Sequence, residues 1–329
     1  MWGFLVTIIA AYALGTDRTF LIDQPNYLDN FAQAPALEWL HALFQQGVQG
    51  AIVRVFTDEL LWQAWAAALG SVLSPAVAVL VTVGALNLLV VLAVTRLKNP
   101  VLAVVVWLVV PVGFVVTGML QLRQGFAFAV MLYVALSLNR PVLGTLIAAM
   151  IHTTFVLALP FSIVAWLCSH KRLLGLLTAI TLAFIAAYLG GVLFQTFGGR
   201  RLQTYSVNET EANSILYVLG GLLCGLPSLQ RLLAAPVPEE SAVQDRTLAN
   251  LAVMHVGVIA FTAASFFVFP LGAGRVGYLT MLLLIPILPT MSPRRSATRA
   301  LLFSLLLLYL VYVAVKAYLE GTYDIYFAT

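Results

Sequence analysis

The sequence predicts an all-α, polytopic integral membrane protein. Three observations carry that reading. Of 329 residues, 62% are apolar and only 9% charged, where soluble domains run near 45–50% and about 25%. Mean hydropathy is +0.99. The apolar residues fall in runs near the roughly 20 needed to cross a bilayer, separated by short loops that carry Arg and Lys. This composition excludes a soluble enzyme, a disordered tail and a disulfide-stapled secreted module.

The expected spans are 2–15, 75–95, 100–117, 124–139, 173–194, 215–233, 248–269, 276–290 and 300–318. The run 142–167 is long for one helix and short for two, and His152 and Pro160 interrupt it. A pair of short helices or a re-entrant hairpin fits it, which brings the total to about 10–11 helices. Residues 2–15 read as a short first helix and not as a secretory signal, because no basic residue precedes the apolar stretch. The whole chain, 1–329, forms one membrane domain. It carries an outer segment, 16–74, with interfacial helices, and an outer loop, 195–214.

Loop charge sets the orientation. If 142–167 enters and returns to one face, then Arg96, Lys98, Arg140, Lys171, Arg172, Arg231, Arg246, Arg294, Arg295 and Arg299 share that face. It is then cytoplasmic, with the N-terminus inside and the C-terminus outside. The outer face keeps Arg18, Arg54, Arg123, Arg200, Arg201, Arg275 and Lys316, six arginines where the charge rule disfavours them. Cys168 and Cys224 sit in apolar runs and read as small core residues. No phosphate-loop or dinucleotide fingerprint occurs, which argues against nucleotide-driven work. Nucleic acid is not an expected partner.

The outer arginines are the leading chemical features. Arg123, beside Gln124, opens an expected helix, where free N–H groups and the positive dipole end favour anions. Arg275 follows Gly272-Ala273-Gly274 before another expected helix start, with glycines that allow close backbone approach. Two such arginines could clamp a pyrophosphate, and Arg200 with Arg201 could hold a second anion or an acidic sugar. The bland alternatives are snorkelling side chains, tight turns and a solvated loop. His152 is an ionisable group inside a membrane run, a functional hypothesis by default, with a helix–helix hydrogen bond as the plain alternative. His255 reads as structural. Segment 59–70, with Trp62 and Trp65, suits an interfacial helix headed by Glu59. Asp17, Asp23, Asp29 and Tyr27 lie in the same outer segment and are mostly solvated or capping groups.

Several of these features occur in an order that resembles the EpsG family, within the broader Wzy-type polysaccharide polymerases. Gly15-Thr16-Asp17 follows the first helix, Tyr27 lies in the outer segment, and Glu59 leads an apolar stretch to Gly70. Arg123-Gln124-Gly125-Phe126-Ala127 opens a helix, Asn139-Arg140-Pro141 leads to an alanine-rich run ending in His152, and Arg275-Val276-Gly277-Tyr278 precedes Pro286. The resemblance implies a GT-C-like membrane glycosyltransferase of the bacterial inner membrane. It would polymerise polyprenyl-diphosphate-linked oligosaccharide repeats into exopolysaccharide or O-antigen on the outer face. The growing glycan would pass to the non-reducing end of a new repeat, without metal or nucleotide, with a chain-length regulator protein as a further partner. It also implies that Arg123, Gln124, Arg275, Arg200, Arg201 and Tyr278 bind diphosphate or substrate, while His152, Glu59 and Asp17 supply the base or its orientation. The competing classes are an O-antigen ligase, a secondary transporter or flippase of lipid-linked sugars, and a membrane acyltransferase.

Overall fold

The computed structural model describes residues 23–33, 54–110, 112–197, 215–233, 242–268, 270–290 and 297–319, and these are helical apart from short turns. In order they form α1 (Gln24–Ala32), α2 (Leu60–Gly70), α3 (Pro75–Val94), α4 (Pro100–Val109), a π-helical segment (Val112–Leu120), α5 (Leu122–Ser137), α6 (Pro141–Ile151) and α7 (Thr154–Leu167). There follow α8 (Arg172–Phe197), α9 (Ile215–Leu233), α10 (Ala242–Val268), α11 (Pro270–Leu282), α12 (Leu284–Ile287), a 3₁₀ turn (Leu288–Thr290) and α13 (Ala297–Leu319). Pro75, Pro100 and Pro141 stand at first helical positions, where a missing N–H costs nothing and the fixed φ suits the helix.

Among the described residues, Pro75–Val94, Arg172–Val192 and Val243–Phe267 are long and apolar enough to cross a membrane, and six more apolar helices are shorter. The protein is a multi-pass membrane protein, as composition predicts. The expected first helix at 2–15 lies outside the described residues. The expected span 100–117 is not one straight helix: α4 ends at Val109 and the π-helical segment begins at Val112. The run 142–167 is two helices, α6 and α7, parted at His152-Thr153. The 11 residues of α6 rise only about 16 Å, half of a hydrocarbon core.

The chain packs as two compact units. The first comprises Met1–Arg96, Pro111–Val156 and Ala314–Thr329; the second comprises Leu97–Val110 and Leu157–Val313. In the first, α5 is sandwiched between α3 and α6, and α1 and α2 pack against each other and against α3. In the second, α10 lies at the centre against α8, α9 and α11. Its His255 is fully buried and bridges Ser228 at 2.8 Å and the Thr280 carbonyl at 2.7 Å, the helix–helix bond expected of it. Both cysteines are free; Cys224 is buried and Cys168 only half-buried.

Two glycines set the close packing around α5. A Cβ on Gly125 would lie 1.7 Å from the Thr117 carbonyl oxygen of the π-helical segment, and one on Gly144 would lie 2.7 Å from the Met131 carbonyl. The first turn of α5 therefore rests directly on the backbone of the preceding segment, and α6 rests on α5. Asn139 takes a positive φ of 56° in the turn joining them. Arg123, near the start of α5, and His152, after the end of α6, are thereby brought to one end of a helical hairpin.

Candidate functional site: an Arg–Glu–His constellation

Glu59 precedes α2 with φ 55° and ψ 56°, a left-handed conformation that costs a non-glycine residue about 1–2 kcal/mol. The conformation sends its carboxylate to three partners. Oε2 accepts from Arg123 Nη1 at 2.9 Å, Oε1 lies 2.6 Å from His152 Nδ1, and the Thr153 backbone N–H donates to Oε1 at 3.2 Å. Residues 64 and 93 positions apart in sequence thus meet on one carboxylate.

Each partner is placed by local structure. His152 ends α6 in extended conformation, with φ −150° and ψ 127°. Its N–H still closes the last turn on Ala148, while its carbonyl and that of Thr153 begin the next turn through Phe155 and Val156. The Thr153 N–H belongs to neither helix, and the carboxylate satisfies it. A buried backbone donor left unpaired costs about 1–3 kcal/mol. A hydrogen on Nδ1 is the one that can donate to an ionised Glu59, which leaves Nε2 as the ring nitrogen turned away from it. The Thr154 hydroxyl lies 3.5 Å from Nε2.

Aromatic residues pack α2 onto its neighbours. Trp62 of α2 is fully buried and packs on Tyr27 and Phe31 of α1, with ring centroids 5.8 and 5.9 Å away. Trp65 donates to Thr82 at 2.9 Å and packs on Phe126. Trp62 is thus buried and Trp65 half-buried against protein, with α2 packed on α1, α3 and α6. Arg123 lies close enough to the Tyr27 phenol to act on its charge. Burial, with a smaller push from Asp23, raises the Tyr27 pKa although Arg123 pulls it down, so the phenol is neutral at physiological pH.

The electrostatic design is a shielded anion beside a more open cation. The Glu59 side chain is 8% exposed, His152 15% and Arg123 42%. Burial pushes the Glu59 pKa up. The His152 hydrogen bond and charge, the Arg123 charge and the Thr153 N–H together outweigh it and hold the carboxyl below its ordinary value. A carboxyl held low in the folded state contributes stability above its unfolded pKa of about 4.3 and loses it as pH falls through the lower folded value. Wild type is therefore expected to lose its Tm advantage over Glu59→Gln as the pH drops below about 4. An advantage that instead shrinks between pH 6 and 8 would contradict the assignment.

The remaining sequence-predicted residues are placed differently. Gln124 is buried beside Arg123, and its Nε2, like Trp62 Nε1, has no hydrogen-bond partner among the described residues. Arg275 was expected at a helix start after a glycine turn. Instead, residues 272–275 are helical and Arg275 stands well inside α11, which begins at Pro270. Tyr278, on the same helix, belongs with Arg275 to the second unit, and Glu59 belongs to the first. Asp17, Arg200 and Arg201 lie outside the described residues. Sequence reasoning gave Tyr27 only a solvated or capping role and passed over Thr153. The isolated Tyr among polar neighbours carries no periodic signal, and a backbone N–H freed by a helix break is invisible until the break is seen.

No curated protein and no solved structure matches the chain. The profile of the EpsG family matches residues 1–327, essentially end to end. The chain belongs to the EpsG family of Wzy-type polysaccharide polymerases.

Proposed function

We propose that the chain is the glycosyl-transferring polymerase for polyprenyl-diphosphate-linked repeats at the outer face of the bacterial inner membrane, with Glu59, Arg123 and His152 at the reacting centre. The observation that carries this reading is the single Glu59 carboxylate shared by Arg123 and His152. It joins the two groups the reaction needs, a cation for a leaving diphosphate and a base for an attacking hydroxyl.

In the transfer, the acceptor hydroxyl oxygen bonds to the donor's anomeric carbon as the bond from that carbon to the diphosphate oxygen breaks. The electron pair leaves on polyprenyl diphosphate, where Arg123 and the first N–H groups of α5 stabilise it. The hydroxyl proton passes to His152 Nε2. Glu59 holds Nδ1–H, fixes the ring and stabilises the imidazolium that forms, as a carboxylate does for histidine in serine hydrolases. Gln124, buried with an unpartnered amide, is suited to receive a substrate oxygen. Arg275, Tyr278, Arg200, Arg201 and Asp17 remain proposed contacts by family resemblance alone, as does a chain-length regulator as partner.

Purified protein incubated with a lipid-diphosphate oligosaccharide should give a ladder of longer glycans. Arg123→Ala should slow elongation about 100-fold, the scale of losing one preorganised donor to a developing anion. Arg123→Lys, a point charge without the planar fork, should recover part of it. Normal long polymers from Arg123→Ala would overturn the diphosphate assignment, and export of the lipid-linked repeat without elongation would favour a transporter.

A further inference from the structure

Asp245, in the first turn of α10, is buried and paired with two arginines. Arg172, at the start of α8, donates from Nη2 at 2.5 Å, and Arg231, in the last turn of α9, donates from Nη2 to the other oxygen. One carboxylate thus fixes two guanidinium planes at a shared end of three helices in the second unit. Arg231 Nε is buried with no hydrogen-bond partner among the described residues. Lys171 and Arg246, adjacent in sequence to Arg172 and Asp245, are exposed. Among the described residues of this end, four cations stand with one carboxylate. The same end also exposes large apolar side chains, including Trp166, Leu233 and Val243.

We propose that this end of the second unit binds an anionic phospholipid, with its phosphodiester on the arginine pair and its acyl chains along the exposed apolar side chains. The exposed Lys171 and Arg246 beside the pair suit an anion, and oriented guanidinium forks match phosphate oxygens. The exposed apolar border distinguishes a lipid from a soluble anion, which would make no use of it. A basic cluster at the headgroup level of a helical membrane protein is the arrangement that anionic headgroups occupy. The proposal is independent of the polymerase chemistry, since it uses none of the residues around Glu59.

The test is native mass spectrometry and thermal melting of the purified full chain in neutral detergent, with phosphatidylglycerol, phosphatidylcholine or inorganic phosphate added. Phosphatidylglycerol should remain bound and raise Tm, and the other two should not. The double variant Lys171→Ala/Arg246→Ala removes exposed charges and spares the Asp245 pairs, so its fold is expected to survive. It should weaken phosphatidylglycerol binding about fivefold per charge removed, and Arg231→Gln should weaken it further. Equal stabilisation by phosphatidylcholine would overturn the proposal, as would inorganic phosphate alone reproducing the shift. Unchanged lipid retention in the double variant would overturn it as well.

Discussion

Glu59→Gly is expected to give a folded protein that does not elongate glycan. Glycine adopts the left-handed backbone at position 59 without the cost that glutamate bears there. Against that gain, the variant strips the partner from the Thr153 N–H, at about 1–3 kcal/mol for an unsatisfied buried donor. The opposing terms leave Tm changed by only a few degrees. Activity should nevertheless fall about 10²–10⁴-fold, the span attributed to a positioned general base, because His152 loses its orienting anion and Arg123 its anchor. Glu59→Gln separates shape from charge. It keeps hydrogen-bonding atoms near Arg123 and His152, yet should elongate almost as poorly as glycine. Product ladders measured beside melting curves decide the matter: wild-type chain length from both variants would refute a reacting role for Glu59. Loss of folding in both would instead assign the residue to structure. A strained conformation retained where glycine would serve the backbone better is the pattern expected where function has been kept at some cost in stability.

The largest expected effect on stability belongs to Gly125→Ala. Its new methyl group would meet the Thr117 carbonyl oxygen at 1.7 Å, and both sides of that contact are main chain. No side chain is available to swing aside, so α5 must shift bodily from the π-helical segment. A destabilisation above the usual 1–3 kcal/mol of overpacking is expected, seen as a sharp loss of folded yield and a lower Tm. Gly84→Ala is the internal control: nothing lies within 4 Å of its added methyl group. It should gain up to about 1 kcal/mol from helix propensity. Equal melting points for the two alanine variants would show that the close approach does not exist. Because Arg123 lies two residues before Gly125, any surviving Gly125→Ala protein should also elongate poorly.

The long apolar helices were legible from hydropathy alone, since burial in lipid demands an uninterrupted run. α3, α8 and α10 follow their expected positions closely. The division of 142–167 was half legible: length and His152 flagged an interruption, but only the backbone placed it at His152-Thr153. Arg123 stood out because a cation at an apolar helix start is costly without a purpose, and it does open α5. The meeting of Arg123, Glu59 and His152 was not legible, since nothing local encodes a contact across 64 or 93 residues. Arg275 shows the opposite failure. Its glycines resembled a turn, but Pro270 starts the helix early and carries it through them. Composition marks Trp62 and Trp65 as candidates for an interfacial helix but does not reveal that Trp62 packs on α1 and that Trp65 bonds to α3 and packs on α5.

The Glu59 carboxylate also has a history during synthesis. Its histidine partner is made 93 residues later, a delay of about 5–20 s at ordinary elongation rates. Until Arg123 is made, 64 residues after Glu59, the carboxylate has neither guanidinium nor imidazole beside it, and a lone charge is costly in hydrocarbon. Segment 54–70 is therefore expected to stay in contact with water until α5 and α6 have brought Arg123 and His152 to it. The proposed centre can close only once His152 has emerged, so a chain arrested before that point carries every apolar helix up to it and no site.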